Sequence, residues 1–135
     1  MSRLIFAMLL LISLPIFAAQ SNPPDQTGPG HEVPVVRAGL GECSVDFHVI
    51  DDQRKPIYGA QISVHIRYGF GGFHKMDLQV ATNVDGRGRF DGLTERARMP
   101  LEFNLEAPQH KSNSVAVDLR DKCKSTQEVV LPSNR

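Results

Sequence analysis

Histidine and cysteine are the residue types in this chain that are most able to do chemistry. The five histidines are His31, His48, His65, His74 and His110. None of them has the close local spacing of zinc ligands, and a zinc site needs three or four convergent side chains. His48 and His65 take polar positions in alternating segments, so both should face outward, and neighbouring strands could bring them together on a metal ion. The sequence itself assembles no ligand set, and we predict neither a metal nor another cofactor.

The two cysteines are Cys43 and Cys123. Both follow an N-terminal segment that predicts export, and exported proteins meet an oxidising environment in which disulfides form and persist. We therefore predict a Cys43–Cys123 disulfide that ties the entry of the first strand to the loop before the last strand. The alternatives are two free thiols or half of a metal site.

Catalytic groupings are not apparent in the sequence. A serine hydrolase needs a serine activated by a histidine that a carboxylate orients, and the G-x-S-x-G signature is absent. Ser63, Ser112 and Ser114 lie in ordinary strand or turn contexts. The carboxylates are scattered along the chain. The sequence thus predicts no catalytic residue, and a chain that is not an enzyme.

The most unusual local segment interleaves aromatic residues with glycines between Tyr68 and Lys75. Aromatic rings supply contact area and glycines allow unusual backbone angles, so this segment is a candidate binding loop for a sugar or a protein. Its members are Tyr68, Phe70, Phe73, His74 and Lys75. The alternative, which we favour from sequence, is that Phe70 and Phe73 fold inward and plug one end of the core, because apolar side chains are more often buried.

Charge is balanced over the chain, with 15 basic and 15 acidic side chains. This balance argues against nucleic acid or an anionic membrane as the main partner. Four arginines gather around one predicted strand, with acidic residues between them, and we read the group as a mixed, solvated surface at one end of the fold. These arginines are Arg87, Arg89, Arg96 and Arg98.

Residues 1–19 have the marks of a secretory signal peptide. Arg3 precedes an apolar run over residues 4–14, and small residues end the segment at Ala18 and Ala19. The alternative is an uncleaved membrane anchor, but a span needs roughly 20 apolar residues. We predict a secreted or periplasmic protein whose mature chain has no transmembrane span and, once Arg3 is removed, a formal charge of −1.

The elements that would position these residues are short strands. Residues 20–42 are rich in proline and glycine and predict a flexible lead-in, although Val33 to Val36 could add an edge strand at the sheet margin. From Cys43 onward, apolar and polar residues alternate, as half-buried strands require. Seven such segments predict an all-β fold over residues 43–132, a seven-stranded antiparallel two-sheet sandwich of transthyretin-like or immunoglobulin-like type. They centre on residues 45–50, 62–67, 76–81, 89–90, 101–106, 115–120 and 127–131.

Two segments carry a family resemblance. Residues 55–64, Lys-Pro-Ile-Tyr-Gly-Ala-Gln-Ile-Ser-Val, and residues 82–93, which include Asp85-Gly86 and Phe90, resemble the repeated motifs of carboxypeptidase regulatory-like domains. The resemblance implies a transthyretin-like sandwich that is usually non-catalytic. After Leu93 the sequence departs from the family pattern.

The resemblance and the absence of a catalytic grouping together predict an exported, non-catalytic β-sandwich module. Its expected partner is a protein or a component of the cell envelope. The alternative is binding of a small ligand or carbohydrate through the Tyr68–Lys75 loop.

Overall fold

Alternating apolar and polar residues produce eight strands in the computed structural model, which describes residues 30–97 and 100–135. The predicted signal peptide, the first part of the lead-in and Arg98 lie outside the described residues. The strands are β1 (Val35–Arg37), β2 (Cys43–Ile50), β3 (Gln61–Tyr68), β4 (His74–Ala81), β5 (Arg87–Leu93), β6 (Leu101–Glu106), β7 (Asn113–Val117) and β8 (Lys124–Val130). A short 3-10 turn, Phe70–Gly72, lies between β3 and β4.

The strands form two four-stranded sheets, which confirms the predicted all-β, two-sheet sandwich. The first sheet has the order β1-β5-β2-β8 and the second has the order β4-β3-β6-β7. Neighbours are antiparallel in the second sheet, but β1 with β5 and β2 with β8 are parallel. The prediction of a purely antiparallel fold was therefore wrong for these two pairs, because side-chain alternation is the same in both strand directions.

The edge strand suggested by Val33 to Val36 is present as β1 and is the eighth strand. Val36 pairs with Phe90, and the Pro34 carbonyl accepts a hydrogen bond from the Arg89 amide at 2.9 Å. Pro34 itself lies just before the strand, at the margin of the sheet, where the missing amide proton costs no ladder bond. The sheet thus begins at Val35, within the segment that we predicted to be a flexible lead-in.

The core lies between the inner faces of the two sheets. Phe47, Phe90 and Phe103 are buried at its centre, with ring centroids 4.9 to 5.9 Å apart. Tilted and edge-to-face rings at these distances are favourable arrangements. Phe90 and Leu93, both in the second of the two family-like segments, are fully buried.

The predicted disulfide is present. Cys43 opens β2, Cys123 directly precedes β8, and their Cα atoms are 4.6 Å apart. Because β2 and β8 are parallel neighbours, both strands begin at the same end of the first sheet, and the bond joins them there.

The predicted strand over residues 115–120 ends earlier, at Val117. The Asp118 carboxylate accepts hydrogen bonds from the Arg120 amide at 3.0 Å and from its guanidinium at 2.9 and 2.8 Å. These local bonds compete with the ladder and turn the chain, while Leu119 stays buried.

Among the described residues, no helix is long and apolar enough to cross a membrane.

Candidate functional site

An open groove of about 610 Å³ lies against the second sheet, bounded by the end of β3, the 3-10 turn and the segment that leads into β6. Leu101 and Ala97 form a mostly buried apolar part of its wall, whereas the charged side chains of the groove are exposed. The lining residues are His65, Arg67, Gly71, Gly72, Ala97, Pro100, Leu101 and Glu102.

His65 has a carboxylate partner on the neighbouring strand. His65 on β3 lies opposite Asp77 on β4 in the sheet register, and its Nδ1 is 2.6 Å from Asp77 Oδ1. A carboxylate accepts hydrogen bonds, so Nδ1 carries the proton of this bond. In the neutral ring, Nε2 then has a free lone pair. The pair thus has the arrangement of a general-base site, in which a carboxylate fixes the orientation of a histidine that can accept a proton. Both side chains are at least half exposed.

Charges of both signs lie beside this pair. Arg67 and Glu102 line the same groove, Arg67 two residues along β3 from His65 and Glu102 on β6. Residues two apart on a strand share a face, so His65 and Arg67 both point away from the core. Within the described part of the chain, no ion pair neutralises Arg67.

The aromatic loop is displayed on the surface. Phe70 is 94% exposed and Phe73 is 80% exposed, so the favoured prediction that they plug the core was wrong. Gly69 and Gly71 have φ values of 78° and 67°, and these left-handed residues turn the chain away from the sandwich. Of the other candidate loop residues, Tyr68 is half-buried and stacks on the exposed His74 at 5.3 Å, and Lys75 is exposed. The use of this loop for binding stays a prediction.

His48 and His65, whose possible meeting on neighbouring strands the sequence left open, lie in different sheets. His48 is on β2 of the first sheet and has Glu128 as its neighbour at 3.5 Å, while His65 is on β3 of the second. The sequence could not decide this point, because alternation does not encode which strands pair.

The described residues bring together one group of three cysteine, histidine or carboxylate donors within 4.8 Å of one another, namely Cys43, Glu95 and Cys123. The two sulfurs of this group are bonded to each other and do not supply two thiolates. This group therefore does not fit a metal ion of the kind that convergent histidines and carboxylates hold.

The predicted arginine group is not clustered at one end. Arg87 begins β5, whereas Arg96 follows its end, so roughly 20 Å of extended chain separates them. Arg89 lies between them and bonds to Asp46 at 3.0 Å. The mixed charges that we predicted are present, but they are spread along the strand.

Sequence reasoning missed the His65–Asp77 pair. Alternation placed both side chains on outer positions, which was the available signal. The pairing depends on the register of β3 against β4, which in turn depends on the length and shape of the glycine-rich turn between them.

Three solved structures of similar fold are dioxygenases. The chain matches 3-chlorocatechol 1,2-dioxygenase from Rhodococcus opacus (TM-score 0.51, 10% identity, 75% of this chain and 64% of that one). It also matches catechol 1,2-dioxygenase from Pseudomonas arvilla (0.52, 12%, 78% and 59%) and hydroxyquinol 1,2-dioxygenase from Pseudomonas putida (0.50, 12%, 80% and 64%). The chain thus spans less than two thirds of each of these enzymes. No model of a known protein family and no curated protein matches it.

These similarities show the sandwich fold and correct one inference from sequence. We predicted a non-catalytic module that binds a protein or envelope component, or a small ligand through the aromatic loop. That prediction rested on the family resemblance and on the absence of a catalytic grouping in the sequence. These three solved neighbours are enzymes, so the prediction of a non-catalytic module was wrong. The carboxypeptidase regulatory-like family is not supported beyond the β-sandwich itself.

Proposed function

We propose that this chain acts on a small hydroxylated aromatic molecule held in the groove, with His65 as the proton acceptor. The observation that carries the proposal is the 2.6 Å bond between His65 Nδ1 and Asp77, which orients the imidazole and leaves Nε2 as the basic atom. Imidazole is the side chain best suited to accept a proton near neutral pH.

The groove suits such a molecule in shape and charge. Ala97, Pro100 and Leu101 offer apolar contact to a flat ring, and Arg67 offers a positive charge beside His65. A phenolic hydroxyl has a pKa of about 10 and stays protonated at neutral pH unless a base takes the proton and a cation stabilises the phenolate. His65 and Arg67 would supply these two effects.

The class of molecule is also the one named in the solved neighbours, which act on catechols and hydroxyquinol. Their low identity gives this chain no residue role. The described residues assemble no fitting metal site, so we derive proton transfer alone and no step that involves a metal or dioxygen.

Catechol is the probe for the first test, and its ionisation is followed by the ultraviolet difference spectrum of the phenolate during titration. We expect the chain to bind catechol in ionised form near neutral pH. The H65Q variant should bind more weakly and show no phenolate spectrum, and D77N should retain a reduced signal.

The matched control is H110Q, since His110 Nδ1 bonds to the Pro108 carbonyl on another part of the surface and that change should alter neither signal. Bound catechol that stays protonated would refute the role of His65 as a base. Absence of binding, or equal loss in H65Q and H110Q, would refute the site.

We further propose that the chain is exported and cleaved after Ala18 or Ala19, which the disulfide supports because such bonds persist in oxidising compartments. N-terminal sequencing of protein from the cell envelope or medium should then begin at residue 19 or 20. A product that begins at Met1 would contradict export with cleavage.

Membership in the carboxypeptidase regulatory-like family stays a proposal, supported by residues 55–64 and 82–93.

A further inference from the structure

We infer that two copies of this chain pair along β4, antiparallel to each other, about a twofold axis at Met76. The pairing joins the second sheets of both copies into one eight-stranded sheet. It does not rest on the proposed function of the groove.

β4 is a long edge strand, and among the described residues no strand pairs with its outer side. It has eight residues, pairs with β3 alone in an unbroken register, and contains no proline or bulge. Over residues 30–97 and 100–135, no hydrogen bond outside the β3 ladder reaches the backbone of residues 74–81. Half of its amides and carbonyls therefore face outward, which makes the strand a template for another strand.

The other sheet edges are shorter or partly covered. β1 has three residues and β7 has five. At β8, the loop before β7 closes over the end of the strand: the Asn113 side chain bonds to the Val130 carbonyl at 3.2 Å, and the Lys111 amide bonds to the Pro132 carbonyl at 2.8 Å.

The charges on β4 select the partner and the register. Lys75 and Asp77 flank Met76 on the outer face and are both exposed. With the axis at Met76, Lys75 of each copy lies opposite Asp77 of the other, which gives two attractive cross-strand pairs. Registers centred on Lys75 or Asp77 would place two like charges opposite each other. The strand is therefore self-complementary in one register, which favours a second copy as the occupant.

Apolar side chains on β4 are also partly exposed at this edge, and a second copy would bury them. Met76 and Leu78 point toward the core but are only half-buried, because β4 is the last strand of its sheet. In the antiparallel register, the two Met76 side chains meet at the axis. The turn with the exposed Phe70 and Phe73 then comes beside residues 79–83 of the second copy, which gives both rings a surface to contact.

The test is the mass of the exported chain in solution, measured by analytical ultracentrifugation over a range of concentrations. We expect twice the mass of one chain. K75E places two acidic side chains opposite each other at both pairs, and should raise the dimer dissociation constant by roughly tenfold or more. The double variant K75E/D77K restores opposite charges and should restore the dimer.

The control variant is K111E, which makes the same charge change on the exposed loop before β7 and should leave the mass unchanged. Circular dichroism of each variant checks folding. A monomer at all concentrations would overturn the inference. So would a dimer that K75E leaves intact, or a K75E monomer that D77K does not restore. Because Asp77 also bonds to His65 of the groove, mass and catechol binding are read separately, and either proposal can fail alone.

Discussion

The hydroxyl of Thr82 joins the segment before β3 to the residue that follows β4. It accepts a hydrogen bond from the Ala60 amide at 2.9 Å and donates one to the Ile57 carbonyl at 2.6 Å, and the residue is 2% exposed. T82V keeps the shape but leaves both backbone groups buried without these partners. We expect it to lower the free energy of unfolding by about 1–3 kcal/mol, measured by urea denaturation.

The matched control is T126V on β8, where the threonine is exposed. Its effect should stay within about 0.5 kcal/mol. Equal effects of the two variants would show that the Thr82 bonds add nothing to stability.

The pKa of Asp51 gives the protein a defined acid sensitivity. The Lys55 amide, which donates to the Asp51 carboxylate at 2.9 Å, is the largest cause that holds the pKa of this carboxyl below its ordinary value of 3.8. The group has a lower pKa when folded, so its stabilising effect is present above pH 3.8 and is lost as the pH falls below that value.

D51A should therefore lower the urea midpoint at neutral pH and have a shrinking effect below about pH 4. E106A, at an exposed position of β6, serves as the charge-matched control. A constant difference between D51A and the unchanged chain down to about pH 2 would contradict the role of the ionised carboxylate.

Individual site residues were only partly predictable. The sequence placed His65 on an outer face correctly, because alternation fixes the face. It did not predict Asp77 as its partner, since a shift of β4 by two residues would keep every face and exchange every partner.

At the scale of elements, two turn glycines have the same backbone conformation but different surroundings. Replacing each by alanine therefore separates the cost of the backbone conformation from the cost of a steric clash. Gly86 and Gly59 have φ values of 70° and 73°. A Cβ on Gly86 would clash with the Val49 carbonyl oxygen, whereas a Cβ on Gly59 would meet nothing within 4 Å. G59A should lower the free energy of unfolding by about 1–2 kcal/mol, the cost of the left-handed conformation, and G86A by clearly more.

Urea denaturation of both variants measures the difference between their free energies of unfolding. Because both share the cost of the left-handed conformation, this difference reports the contact between the turn and β2. If G59A and G86A had the same effect, the approach of Val49 would not constrain the turn between β4 and β5.

The strands themselves were largely predictable, because each has one apolar face. Their arrangement was less so. The parallel pairing of β2 with β8 joins segments from opposite ends of the described chain, and the separation of His48 from His65 follows from the chain crossing between sheets after β2. The local alternation of apolar and polar residues encodes neither the pairing of β2 with β8 nor the change of sheet after β2. The outward turn of Phe70 follows from glycine backbone angles that several loop shapes could satisfy.

At the scale of the whole molecule, the disulfide spans 80 positions of the chain. In the chain-entropy model, a loop of this length stabilises the fold by up to about 4–5 kcal/mol. Reduction should lower the free energy of unfolding by an amount of this order, measured by urea denaturation with and without a thiol reductant. The double variant C43A/C123A should already be less stable and should not respond to reductant. Unfolding that is unaffected by reduction would contradict this contribution.

The sandwich and its disulfide were predictable at this scale because alternation, composition and the number of cysteines are all read directly from the sequence. The groove was not, because it forms where a turn and a loop from separate parts of the chain meet the second sheet.

The position of the disulfide also decides how the molecule would respond to mechanical tension applied at its ends. β2 through β7 lie inside the covalent loop, while β1 and β8 lie outside it and are the two margins of the first sheet. Force applied at the chain ends can detach β1 and β8 from the sheet. The chain that forms β2 to β7 cannot be extended, because the disulfide joins its two ends. Reducing the bond would release about 270 Å of additional chain, so the redox state of the surroundings sets how far this protein can be stretched.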